Sequence, residues 1–148
     1  MDRAVIAAEI EAVGFAVVLV TAEGDEPGHG FTIGLTGSHG HPELIVVGLD
    51  DGQQAGPAHA LLDALAERVA DGERFADGET RDDLLVGYPC VLRSVAPEQH
   101  AEWLGAALHW YGPQAFDCLQ VVWPDASGRF PWDPDVDPRM RTRQPLLG

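Results

Sequence analysis

HGFTIGLTGSHGHPELIVVGL, residues 29–49, sets two apolar, β-branched runs on either side of a turn rich in glycine and histidine. Such runs, bounded by Gly, Pro and Ser, read as strands. The spacing predicts one strand over 31–35, a second over 44–49, and a loop of about eight residues between them. Gly34 and Gly48 interrupt the runs where a backbone would kink or be closely approached. The stretch also holds three of the six histidines, His29, His39 and His41. A sheet centre and a candidate site therefore coincide.

Upstream, Ile6, Ile10 and Val13 recur at helical spacing behind Asp2, a candidate N-cap, and Gly14 is a candidate stop. Residues 15–20 form a near-continuous β-rich run that predicts a strand covered on both faces. Downstream, Pro57 opens a helix whose apolar face is Leu61, Leu62, Leu65 and Val69, closed by Gly72. Asp77-Gly78 then suggests a tight turn between a short strand at 74–76 and another reaching 84–86. A strand follows over 90–95. After Pro97 a third helix has His100, Leu104, Ala107, Leu108 and Tyr111 on its inward face, and Gly112-Pro113 ends it. A last strand over 119–123 turns through Pro124 and Gly128 into 129–132, an edge hairpin flanked by prolines.

About six strands with about three helices, not regularly alternating, predict a single α+β domain with a mostly antiparallel sheet or a small split barrel. The domain is expected over 1–138, with an arginine-rich tail over 139–148. At 148 residues, 45% hydrophobic and 22% charged, the chain has the composition of an ordinary globular protein. Its 24 acidic residues against nine arginines and no lysine give a formal net charge of −15. That surface repels polyanions, which excludes nucleic acid and anionic membrane as expected partners. No apolar run approaches the ~20 residues of a membrane span. No secretion signal follows Met1, and Cys90 and Cys118 sit beside apolar runs, so a reducing cytoplasm is the expected setting.

Two chemistries suit the residues of the central turn. His29, His39 and His41 are of metal-ligand type, and imidazoles two apart on an extended segment project to one side. Glu43, where a polar turn meets an apolar strand, would have a raised pKa and serve as a general base, with His109 and Tyr111 as acid or hydrogen-bond donor; Glu43, His41 and Tyr111 are the catalytic candidates. Trp103, Trp110, Trp123 and Trp132, with Phe130, would give aromatic walls suited to a planar ligand. On that reading Thr32, Gly34, Trp123, Asp125 and Trp132 line a cofactor site. The structural alternatives are Glu43 accepting backbone N–H groups of the turn, Tyr111 in the core with its hydroxyl at the rim, the tryptophans in the core or a dimer interface, and Asp125 capping its own turn. No P-loop, dinucleotide fingerprint, CxxC or nucleophile elbow occurs. The absence of lysine excludes a pyridoxal phosphate aldimine.

Taken together, FTIGL at 31–35, HPELI at 41–45, VWPD at 122–125 with Gly128 and FPW at 130–132, and QPLL at 144–147 resemble the bacterial family described as domain of unknown function 4262. The resemblance runs from about Gly14 onward. Phe31 stands where that family usually has Tyr; His41 and Glu43 match its motif, and His29 and His39 do not. A fainter likeness of pattern is to flavin-reductase-type split barrels.

These observations lead to an expected small-molecule- or cofactor-binding protein, with flavin or haem as the cofactors an aromatic pocket would take and a homodimer compatible with the aromatic surface. A protein–protein interaction module and a metal-dependent hydrolase are the alternatives. The expected pocket lies between the 39–43 turn and the tryptophan-rich hairpin.

Overall fold

The computed structural model describes residues 2–49 and 56–148; Met1 lies outside them. Helix α1 (Arg3–Val13) begins at Asp2, whose carboxylate accepts the Val5 N–H, and stops at Gly14 in a left-handed conformation, as the sequence predicts. Strands β1 (Ala16–Val20), β2 (His29–Ile33) and β3 (Glu43–Val47) form an antiparallel meander. Helix α2 (Leu35–His39) lies in the predicted loop between β2 and β3. After α3 (Gly56–Ala70), strands β4 (Thr80–Leu85), β5 (Tyr88–Ser94) and β6 (Cys118–Val122) form a second antiparallel meander.

The two meanders join through one parallel pair, β3 with β6, giving the order β1-β2-β3-β6-β5-β4. The sheet is open, with β1 and β4 at its edges, so the split-barrel alternative does not hold. The α+β class and the mostly antiparallel pairing do.

Strand periodicity divides the core into two layers. Leu44 and Val46 of β3 face one side with Leu61, Leu62, Leu65 and Val69 of α3. Ile45 and Val47 face the other with Ile6 of α1 and Leu104, Ala107 and Tyr111 from the third helical region. Strands β2, β3 and β6 are buried along their whole length because both faces are covered.

That third region is not one helix. A 3-10 turn (Pro97–Gln99), α4 (His100–Trp103) and α5 (Gly105–Tyr111) follow one another, with the break at Leu104, at φ −127° and ψ 36°. Gly105 is a poor helix former, and the break lets Leu104 enter the core. It also turns Leu108 outward, against expectation. The predicted strand at 74–76 does not form. Phe75 is held by its own contacts, and β4 pairs with β5 through a turn at Val86-Gly87. Residues 129–132 likewise form turns rather than a hairpin arm.

The residues expected to form a separate tail belong to the domain. Helix α6 (Pro138–Arg143) spans the expected boundary and buries Met140 in the α3 layer, while Leu147 is buried in the opposite layer. Two glutamine amides stand in for a neighbouring strand. Gln144 accepts the Trp123 N–H at 2.9 Å and donates to its carbonyl at 2.7 Å. Gln120 accepts the Leu147 N–H at 2.9 Å and donates to the Pro145 carbonyl at 2.9 Å. Buried backbone groups need such partners.

Candidate functional site

The β2–β3 connection closes around Glu43. Strand pairing ends at Phe31↔Ile45, and beyond it side chains replace the ladder. The Thr32 hydroxyl accepts the Leu44 N–H at 2.9 Å and donates to Glu43 Oε1 at 2.8 Å. Helix α2 begins at Gly34, which has no side chain to cap it, so its first N–H groups turn to Glu43. Leu35 N–H reaches Oε1 at 3.3 Å; Gly34 and Thr36 N–H reach Oε2 at 3.3 and 3.1 Å. The Tyr111 hydroxyl donates to Oε2 and accepts the Gly34 N–H at 3.1 Å.

Gly34, at φ +112°, allows this geometry, since a Cβ there would lie 2.8 Å from the Gly14 carbonyl oxygen. Burial raises the Glu43 pKa; the hydrogen bonds from Tyr111, Thr36, Thr32 and Leu35 pull against that rise. Burial likewise raises the Tyr111 hydroxyl, and the Glu43 charge adds to the effect. With 0% of its surface exposed and five donors on its two oxygens, Glu43 has no lone pair to offer a substrate. It is a helix cap supplied from a neighbouring strand.

His41 is occupied in the same way. The Phe75 N–H can only donate and meets Nε2 at 3.0 Å; the Pro42 carbonyl can only accept and meets Nδ1 at 2.7 Å. The ring is therefore neutral with its proton on Nδ1. Burial lowers its pKa. Phe75, in turn, meets the His41 ring edge-on and carries the guanidinium groups of Arg68 and Arg81 against its own ring.

Neither expected constellation is assembled. His29 is tied to Trp103 and His41 to Phe75, and no group of three or more His, Cys, Asp or Glu side chains converges as metal ligands among the described residues. Thr32 and Gly34 belong to the Glu43 knot. Trp123 and Asp125 lie past the other end of β6, and Trp132 has the guanidinium of Arg93, on β5, over its ring at 5.1 Å. Strand β3 runs parallel to β6 with Glu43 beside Cys118, so Trp123 is five residues, roughly 16 Å, away. Trp123 packs in the α3 layer and donates Nε1–H to the Val47 carbonyl at 2.9 Å. Asp125 caps its own turn through the Ser127 and Arg129 N–H groups. Trp132 is 38% exposed and stacks on Phe130 at 4.8 Å. The 39–43 turn and Trp123 thus stand at opposite ends of the β3–β6 pair.

A different cleft has the makings of a binding site. It has a volume of about 470 Å³ and opens between β1 with the start of β2 and the α4–α5 break. Val18, Leu19, Val20, Phe31, Trp103 and Ala106 give it apolar walls; Thr21, His29 and Glu102 are its polar side chains. His29 is only 8% exposed. Its Nε2 lies 2.9 Å from the Trp103 carbonyl, so Nε2 carries the proton and Nδ1 is an acceptor. That Nδ1 is buried with no hydrogen-bond partner. Burial lowers the His29 pKa, against the Trp103 carbonyl and the Glu26 charge. The ring meets Trp103 edge-on at 5.0 Å and stacks on Phe31 at 5.9 Å. Sequence reasoning singled out both His29 and Trp103 without joining them; Gly105 inside an apparent helix was the signal of the break that forms the cleft.

The family model described as "Domain of unknown function (DUF4262)" matches residues 9–137. The chain belongs to this family. The DUF4262 match takes in all six strands and the Glu43 knot and stops one residue short of α6, although α6 and Leu147 help close the two core layers. Neither the curated proteins nor the solved structures compared with the chain give a match. No helix among the described residues is long and apolar enough to cross a membrane.

Proposed function

We propose that this DUF4262 chain is a small-molecule-binding protein whose ligand sits in the cleft lined by His29, Phe31, Trp103 and Ala106. The observation that carries the reading is the unpartnered Nδ1 of His29. A buried acceptor left unmet costs about 1–3 kcal/mol, and it lies in a residue that borders a cleft with aromatic and aliphatic walls. Small-molecule sites have this make-up, mostly apolar with a few placed polar groups. The reading keeps the ligand-binding class expected from the sequence and moves the site from the 39–43 turn to the β1–α5 cleft. Cys90 and Cys118, both buried and unpaired, support a reducing cytoplasm as its setting.

The test is saturation-transfer NMR with a set of small ring compounds against the native protein and against Ala106→Phe. Ala106 is half-buried on the cleft wall, so the larger ring fills the cleft from its rim. The proposal expects binding that Ala106→Phe abolishes while the melting temperature holds. Equal binding by both proteins would place any ligand elsewhere.

A further inference from the structure

The chemistry around His29 also restricts what the cleft takes. The Trp103 carbonyl accepts from Nε2, so the neutral ring presents Nδ1 only as an acceptor. A molecule that satisfies it must bring a hydrogen-bond donor. The walls, Phe31 and Trp103 among them, favour an apolar, ring-sized body. Charge selects further. Glu102 lines the cleft, no arginine does, and the Glu26 charge is felt at the His29 ring. With a net charge of −15 on the chain, an anion entering here meets repulsion without a compensating cation.

We infer that the cleft binds an uncharged or cationic ring compound carrying one N–H or O–H group, which it donates to Nδ1 of His29. This rests on the cleft being the binding site proposed above, and deepens it to a ligand class. A phenol, an indole or an aryl amine has this chemistry; an aryl carboxylate does not. Discrimination against a ligand lacking the donor is large when the site holds a buried polar group that the ligand leaves unpaired.

Matched probes test it on the whole protein labelled with 15N-histidine. Phenol and indole are compared with anisole and 1-methylindole, and benzylamine with benzoate, by titration while the imidazole nitrogens are followed by long-range 1H–15N correlation. The expected result is binding of phenol, indole and benzylamine at least about tenfold tighter than their partners. The Nδ1 resonance of His29 should move on binding while Nε2 stays protonated. Equal affinity for donor and methylated probes, or binding with Nδ1 unmoved, overturns the ligand class and leaves the cleft as a site. Failure of every ring probe to bind overturns both.

Discussion

The Tyr111 hydroxyl, 68 residues along the chain from Glu43, completes the ring of donors around its carboxylate. It accepts the Gly34 N–H in the same act, so one oxygen serves the carboxylate and the start of α2 together. Tyr111→Phe removes both bonds, one of them to a buried carboxylate, and leaves the Gly34 and Thr36 N–H groups as the donors to Oε2. The expected loss is about 1–3 kcal/mol in urea unfolding, with an unchanged m-value. Glu43→Gln should cost more, because its amide NH2 would face N–H and O–H groups that also donate. A neutral result for Glu43→Gln would show that the carboxylate is not the cap.

Gly48 and Gly78 separate steric from conformational need. Both have positive φ, +77° and +83°, but a Cβ on Gly48 would lie 2.1 Å from the Arg143 carbonyl oxygen while one on Gly78 meets open space. Gly78→Ala should cost about 1–2 kcal/mol, the strain of a left-handed non-glycine residue. Gly48→Ala must also push α6 off the sheet, and its thermal midpoint should fall further, with cleavage after Arg143 by trypsin appearing under native conditions. Equal midpoints for the two variants would refute the contact.

Acid should destabilise the protein from near neutrality. Burial lowers the pKa of His29, His41 and His100 below the ordinary 6.5. The unfolded chain then takes up protons that the folded one refuses, so stability is lost as pH falls below about 6.5. Glu43 runs the other way, since its raised pKa makes the folded state hold a proton that the unfolded chain has released, but three histidines oppose one carboxyl. Asp83 and Asp137, held at about 2 by Arg81 and Arg139, contribute above the usual 3.8 and lose that contribution as pH falls toward 2. Denaturant midpoints measured from pH 8 to 4 should be flat above 7 and decline below 6.5. A flat profile to pH 5 would contradict neutral buried histidines.

Deleting residues 144–148 should be far more damaging than loss of an ordinary tail. It removes Leu147 from the core and the partners of Trp123 and Gln120. Burying a Leu side chain is itself worth roughly 1.5–3 kcal/mol. The expected outcome is a protein that expresses in insoluble form or melts well below the full chain; a melting temperature within a few degrees of it would show the segment to be dispensable.

Features carried by local pattern were legible in the sequence. Asp2 and Gly14 mark the ends of α1, and the runs at 31–35 and 44–49 locate β2 and β3 to within two residues, because caps and period-two patterning act over a few residues. Glu43 was legible as a carboxyl in an apolar place with a raised pKa and, on the structural reading, as an acceptor for backbone N–H groups of the turn; that these groups open a helix and that Tyr111 joins them was not. Three of its donors are backbone N–H groups where a five-residue helix starts at a glycine, and another is a tyrosine far along the chain; neither leaves a local sign. The same holds for His29 and Trp103, 74 residues apart, whose meeting creates the candidate site. Over 139–148 the arginines read as surface charge, whereas Arg141 and Arg143 donate to backbone carbonyls of Pro131, Asp133 and Gly48, and Gln144 and Leu147 are buried.

The two glutamine clasps also bear on how the chain reaches this state during synthesis. Emerging N-terminus first, it brings all six strands out of the ribosome before residues 140–147 follow. Until then the ends of β6 and both core layers stay partly open to water, and a half-made sheet presents apolar surface to its neighbours. Completion waits on the arrival of Gln144 and Leu147, so a ribosome stalled short of them holds a nascent chain that chaperones would still recognise as unfinished.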